Sequence, residues 1–261
     1  MKHLVIPSMS IRKANQCYTT PGLGDMVHTV LIGFLYGQEH NTPVTLHLTS
    51  DKWNRDKPET YNSLLKLLPA NKVFIKVHDV SGIPSEEFLK YVNNQVGSAE
   101  TYSYQDYPHK YDSKNTIDIS KYLKVYPGLK SKDLSNELAL PDKFVTAQWD
   151  STADKRRLSN DQIQAIQHHY QKQGYQIITV GGLAENPLLQ RSLKHIGYAM
   201  SQAQLHIGVD SGFMHFAQMY LQPNQIHLYI KETTTKWSHH LSRAKDSGCI
   251  LNYYLNQEQQ L

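Results

Sequence analysis

Short apolar runs alternate with longer amphipathic ones along most of the chain, and the alternation reads as strand, helix, strand. Residues 4–7 form a short apolar strand, and Met26, Val27, Val30, Leu31, Phe34 and Leu35 recur at near-helical spacing, which predicts a helix over 25–38. Strands follow at 44–48 and 72–77, separated by a helix that Pro58 opens and that runs to Leu68. A further helix over 84–96 takes Ser85 as its cap and carries Glu86 and Glu87 in its first turn, where the helix dipole favours acids. Strands spaced by helices in this way build a parallel sheet. The pattern then lapses over 98–138, a stretch dense in Tyr, Lys, Asp and Ser with Pro108 and Pro127-Gly128, which reads as the interdomain connection.

A second α/β run starts with a strand over 141–148. Ser159-Asn160-Asp161-Gln162 caps a helix over 163–173, and Gly174 ends it. A strand over 175–180 runs into the Gly181-Gly182 turn, followed by a helix over 187–202, a strand over 205–209, a helix over 212–221 and a strand over 226–230. The domains read from this are 1–138 and 139–261. No internal repeat is present, and the C-terminal tail is rich in Gln.

Composition narrows the function classes. A chain of 261 residues has room for one large domain or two small ones, each with a core. The net charge of +4, from 27 Lys and Arg against 23 Asp and Glu, is spread out and densest at Lys155-Arg156-Arg157. It lacks the basic stripe of a nucleic-acid binder. Cys17 and Cys249 stand far apart without ligand spacing and read as free thiols of a reducing compartment. Residues 1–7 are too briefly apolar for a signal peptide, and no run approaches the ~20 apolar residues of a membrane span, so a cytoplasmic chain, at most peripheral to a membrane surface, is expected. Among the 14 histidines, His168-His169 and His239-His240 are adjacent pairs that point to different faces, and no metal site is expected.

Two junctions carry the candidate chemistry. In Gly208-Val209-Asp210-Ser211-Gly212-Phe213-Met214-His215, a strand turns straight into a helix, which leaves backbone N–H groups free for a phosphate or diphosphate and small residues to admit it. Asp210 or Ser211 acting only as a helix cap is the bland alternative. The other junction is Pro21-Gly22-Leu23-Gly24-Asp25, a glycine-rich turn with Asp25 at a helix N-cap or in its first turn. There it either caps the helix or serves as a general base. The loop over 148–158, with Ser151, Thr152, Lys155, Arg156 and Arg157, adds cations and hydroxyls or is simply a solvated cationic loop. All these motifs fall at carboxyl ends of strands, where open sheets bind ligands, and so predict a cleft between the halves.

The segments Gly22 to Thr29, Gln148 to Ser159 and Gly208 to Ala217 resemble the ADP-heptose:lipopolysaccharide heptosyltransferase family. The resemblance implies an α/β fold of GT-B type, two facing Rossmann-like domains, here with a reduced N-terminal domain because the chain is short for the family. It implies an inverting glycosyltransferase with a nucleotide-sugar donor and a glycan or lipid-linked, lipopolysaccharide-like acceptor. Asp25 then takes the proton of the acceptor hydroxyl. Lys155 contacts the phosphate-bearing part of the donor, with Ser151, Thr152, Asp210, Ser211, Gly212 and His215 around the diphosphate; packing on the sheet is the other role open to His215. Gly181, Gly182 and Glu185 lie near the nucleoside, and Gly22 and Gly24 form the turn before the base. The sequence has no Asp-x-Asp pair, so the diphosphate is expected to be held without metal or cofactor. In the family the glycine turn follows the first strand almost at once; here residues 8–20 intervene, so either 16–20 is that strand or an excursion precedes the turn. A nucleotide-sugar epimerase or hydrolase of related fold and a non-catalytic nucleotide-sugar-binding protein remain as alternatives.

Overall fold

The computed structural model describes residues 1–6, 22–49, 58–69, 72–80, 83, 85–103, 116–118, 122, 124–151, 156–231 and 250–254. The chain divides into two compact units, Met1–Lys124 and Val125–Leu261, each built on one five-stranded sheet.

The first sheet comprises β1 (Lys2–Val5), β2 (Val44–Thr49), β3 (Val73–His78), β4 (Glu100–Ser103) and β5 (Thr116–Asp118), ordered β3-β2-β1-β4-β5 and parallel throughout. The helices α1 (Leu23–Glu39), α2 (Pro58–Leu65) and α3 (Ser85–Val96) connect its strands. β2 is buried at all six positions, as a strand flanked on both sides and covered on both faces must be. β1 lies between β2 and β4, with Leu4 opposite both Leu46 and Glu100. Lys2–Val5 is the strand described ahead of α1; residues 8–20, on which the choice between a strand at 16–20 and an excursion turns, lie outside the described residues. Gly33 of α1 packs on Leu46 and Val73, so a small residue brings the helix close to the sheet.

The second sheet comprises β6 (Phe144–Gln148), β7 (Gln176–Thr179), β8 (Leu205–Val209), β9 (Ile226–Lys231) and β10 (Ile250–Tyr254). It too is parallel, in the order β10-β9-β8-β6-β7. Its helices are α4 (Asn160–Lys172), α5 (Pro187–Arg191), α6 (Leu193–Gln202) and α7 (Gly212–Ala217). The capping box foreseen at Ser159 is present: Gln162 N–H donates to Ser159 Oγ at 3.3 Å, and Ser159 N–H donates to Gln162 Oε1 at 2.9 Å. Gly174 sits at φ +83°, the left-handed conformation that ends such helices. Val145, Ala147, Trp149, Ile166, Tyr170, Ile207 and Val209 form the core between β6, β8 and α4.

Several elements differ from the sequence reading. The helix over 187–202 is two helices broken at Ser192, whose extended ψ of 100° interrupts the run, with Asn186 capping the first through Leu188 N–H at 2.9 Å. The helix expected over 212–221 ends at Ala217 and continues as turns. β4, β5 and β10 were not read as strands. The contacts divide the chain earlier than 138/139, because residues 125–143 are fastened to the second unit. Leu129 N–H donates to Met219 O at 2.7 Å, and Glu137 Oε2 accepts from Lys194 Nζ and His195 Nε2, each at 2.9 Å. Among the described residues, no helix is long and apolar enough to cross a membrane.

Candidate functional site

In each sheet the strand order reverses once, between β1 and β4 in the first and between β6 and β8 in the second. Neighbouring strands at such a point send their loops to opposite faces, which opens a crevice at their carboxyl ends. In the second unit the crevice is bounded by the loop after β6 (Trp149 to Ser151, then Arg156 and Arg157), the turn after β7 (Gly181-Gly182) and the junction after β8 (Asp210 to Phe213). Three contacts bring them together. A Cβ on Gly182 would lie 3.7 Å from Asp150 Oδ2, a Cβ on Gly181 would lie 3.0 Å from the Phe213 ring, and Arg156 Nε lies 3.4 Å from Asp210 Oδ2. Gly181 is held at φ +85° while its N–H donates to Leu189 O at 2.8 Å, a conformation and a clearance that favour glycine.

The cationic groups are pinned. Arg156 also donates to the Asp210 carbonyl through Nη1 at 3.3 Å, so both the carboxylate and the backbone of residue 210 hold it. Arg157 donates from Nε to Ser151 O at 2.8 Å, and the same nitrogen lies 3.8 Å from Asp150 Oδ1. That second pair is about half exposed on both sides and adds little stability, but it leaves a guanidinium facing solvent at the mouth of the crevice. Guanidinium groups are well matched to phosphate oxygens through their planar donor fork.

The polar floor of the crevice is formed by Gln148, Ser211 and the start of α7. Gln148 is the last residue of β6, and its side chain is buried. Ser211 is the N-cap of α7; its Oγ accepts from Phe213 N–H at 3.3 Å and donates to Gln148 Oε1 at 2.6 Å. Gln148 Nε2 in turn donates to the Asp150 carbonyl. Below this layer, His206 of β8 is wholly buried against Thr146 Oγ1 at 3.0 Å, and burial pushes its imidazole down to about 3, so it is neutral.

The sequence-derived candidates distribute as follows. Ser151, Gly181, Gly182, Asp210, Ser211 and Gly212 all lie at this switch point, with Gly182 exposed and Ser151 and Asp210 buried. Glu185 stands exposed two residues before α5. His215 is buried within α7, only 7% exposed, in the company of Met214, Phe216 and Ala217. Thr152 and Lys155 lie outside the described residues. In the first unit, Gly22 directly precedes α1 and its carbonyl accepts from Met26 N–H at 3.2 Å, while Gly24 is already helical. Asp25 is therefore the third residue of α1, a first-turn position and not the N-cap, on the helix that follows β1; its side chain is outside the described set. The sequence places Gln148 at the end of a strand and the start of a loop without giving it a role, and it does not show the Arg156–Asp210 pair. An amide ending a strand and an arginine in a basic cluster give no sign of partners 54 to 63 residues away.

The sequence matches no protein-family model and no curated protein. Solved structures do match. E. coli ADP-heptose lps heptosyltransferase II superposes over 98% of this chain and 91% of its own, at 14% identity and a TM-score of 0.54. E. coli heptosyltransferase WaaC with ADP covers 98% and 94%, at 11% identity and a TM-score of 0.53. The fold is that of the GT-B glycosyltransferases. The chain also matches the dodecameric iron-containing glycosyltransferase TibC of enterotoxigenic E. coli over 87% of its length, at 13% identity and a TM-score of 0.48, and there it spans only 57% of the other protein.

Proposed function

We propose that this protein is an inverting, metal-independent glycosyltransferase that moves a sugar from a nucleoside-diphosphate donor to a hydroxyl of a glycan or lipid-linked glycan. The observation that carries the reading is the meeting of three strand-end loops at the β6/β8 switch point with Arg156 fixed among them. The heptosyltransferase fold supports it.

The acceptor oxygen attacks the anomeric carbon from the side opposite the diphosphate. As the new C–O bond forms, the bond to the diphosphate oxygen breaks, the electron pair leaves on that oxygen, and the hydroxyl proton passes to the Asp25 carboxylate. Negative charge grows on the leaving group, so fixed cations and aligned N–H donors that meet it stabilise the transition state more than the ground state. Lys155, Arg156 and the amides of Ser211 and Gly212 take that role, with Ser151 and Thr152 beside them. Gly181 and Gly182 leave room for the nucleoside, and Glu185 accepts from its ribose hydroxyls. With cations in place no divalent metal is required. A cytoplasmic enzyme working at a membrane surface would meet a lipid-linked acceptor there.

ADP is the first nucleotide to try, since one of the matched structures is a complex with ADP. The test is calorimetric titration with ADP, with and without a chelator, followed by incubation with ADP-heptose and lipopolysaccharide core glycan under mass spectrometry. The expected result is ADP binding indifferent to chelation and a glycan heavier by one sugar. Release of ADP without glycan growth would point to a hydrolase. Binding without turnover would point to a nucleotide-sugar-binding protein, and activity restored only by Mg²⁺ would overturn the metal-free mechanism.

A further inference from the structure

Gln148 ends β6 at the switch point, beside β8. It is paired with Gly208 across β6 and β8, and a Cβ on Gly208 would collide with the Gln148 carbonyl oxygen. Alternation along β6 sends Val145, Ala147 and Trp149 into the core beneath α4 and turns Gln148 to the other face, where it is 4% exposed. A buried carboxamide is costly unless its oxygen and its NH₂ both find partners. Here they do, in opposite directions. The oxygen takes the Ser211 hydroxyl proton at 2.6 Å, and the nitrogen donates to the Asp150 carbonyl. One side chain therefore joins the loop after β6 to the junction after β8, two of the three segments that bound the crevice.

The Ser211 hydroxyl is occupied by this arrangement. It gives its single proton to Gln148 and receives the Phe213 N–H at 3.3 Å, so it orients the first residues of α7 instead of donating to a ligand. We propose that Gln148 is the positioning residue of the nucleoside-diphosphate site, holding the Asp150 and Ser211–Phe213 backbones in fixed relation to each other. This rests on the glycosyltransferase reading of the site and assigns a role within it. The carboxamide is required as such: a residue of the same shape that cannot both accept and donate loses one of the two loops.

The test is ADP affinity in three variants, each first checked for cooperative unfolding. Gln148→Leu removes both bonds, and Ser211→Ala removes one while keeping the small residue; each is expected to weaken ADP binding about tenfold, the value of roughly one hydrogen bond. Because the two residues act as one unit, the double variant should bind no worse than the weaker single one, not a hundredfold worse. Gln148→Glu supplies the readout that a merely structural residue would not give. Near pH 7.5 its carboxylate still accepts from Ser211 but faces the Asp150 carbonyl without a proton to share. On acidification its protonated form donates to that carbonyl again, so its affinity relative to wild type at the same pH should rise as pH falls. If Gln148→Leu fails to unfold cooperatively, Ser211→Ala and Gln148→Glu decide the matter. Wild-type binding of ADP with unchanged affinity in the variants, multiplicative losses in the double, or a pH-independent ratio for Gln148→Glu would overturn the positioning role and leave the glycosyltransferase reading standing. Absence of ADP binding in the wild type would overturn that reading, and this role with it.

Discussion

Gly208 and Gly181 show how single residues shape the site from opposite directions. Gly208 has no room for a side chain because β6 and β8 approach too closely, so its place in the Gly-Val-Asp-Ser-Gly motif reflects strand contact and not a ligand. Gly181 needs its positive φ and leaves the Phe213 ring just clear. Residue types at strand ends were readable from spacing alone, while their partners were not, since Arg156–Asp210 and Gln148–Ser211 are contacts between distant segments. Asp25 is where residue chemistry can be tested most sharply. At the third position of α1 an acid favours the helix dipole, and Asn keeps its size while losing only the charge. As a helix residue, Asp25→Asn should cost at most about 1 kcal/mol and leave turnover intact. As the general base it should lower sugar transfer by roughly 10²–10⁴ while ADP affinity, assigned to the other unit, stays within about twofold. Transfer and ADP titration on one preparation separate the two, and near-normal transfer would reduce Asp25 to a helix residue.

At the scale of elements, most helices and strands are legible in the sequence and β4, β5 and β10 are not. β2 and β6 are buried at every position; Val44, Leu46 and Leu48 alternate with polar residues along β2, and Phe144, Val145 and Ala147 mark β6. β4 and β5 lie in a Tyr- and Lys-rich stretch and span only four and three residues, too few for alternation to register. Among the described residues, β10 pairs only with β9, at the end of the sheet order. What the strand pattern hid altogether is a ladder of three imidazoles across β1, β2 and β3. His3 Nδ1 lies 3.0 Å from His47 Nε2, and His47 Nδ1 lies 2.7 Å from His78 Nε2, with the last two rings stacked at 5.0 Å and the edges of Phe88 and Tyr91 of α3 closing over His78. Two bonds join the three rings, and a neutral His47 in the middle donates one of them and accepts the other. Burial, then the neighbouring His78, His3 and Lys76, push His47 down to about 4; burial and Lys76 lower His78, and burial, the N-terminal amino group and Lys76 lower His3. A histidine whose folded value lies below its unfolded value of about 6.5 binds fewer protons folded than unfolded across that window. Its stabilising effect is complete above pH 6.5 and is lost as pH falls from there toward 4. Denaturant unfolding of the first unit should therefore weaken between pH 7.5 and 5, and His47→Gln should flatten that slope while lowering stability at pH 7.5. An unchanged slope in the variant would place the proton uptake elsewhere.

Across the whole chain, both sheets follow one topological rule. The two sheets differ in order, yet each reverses beside its first strand, and in the second sheet the loops after β6, β7 and β8 meet beside that reversal. The proposed donor site falls wholly in the second unit. The crevice residues Gln148, Arg156, Gly181, Asp210 and Ser211 all belong to Val125–Leu261, and so do the contacts that hold them. That unit has its own core between β6, β8 and α4, and residues 125–143 are tied to it through Leu129–Met219 and Glu137–His195, so cutting at 138/139 would sever contacts that cutting at 124/125 leaves whole. A fragment of residues 125–261 is thus expected to unfold cooperatively and to bind ADP within about threefold of the full chain, whereas one starting at 139 should be less stable by several kcal/mol, as expected for lost core leucines. Sugar transfer should be absent from both, because Asp25 is gone. Calorimetry on the two fragments beside the full chain decides the point. Loss of ADP binding by a folded 125–261 fragment would mean that the nucleotide site needs residues of the first unit, and the assignment of the donor to the β6/β8 switch point alone would fall.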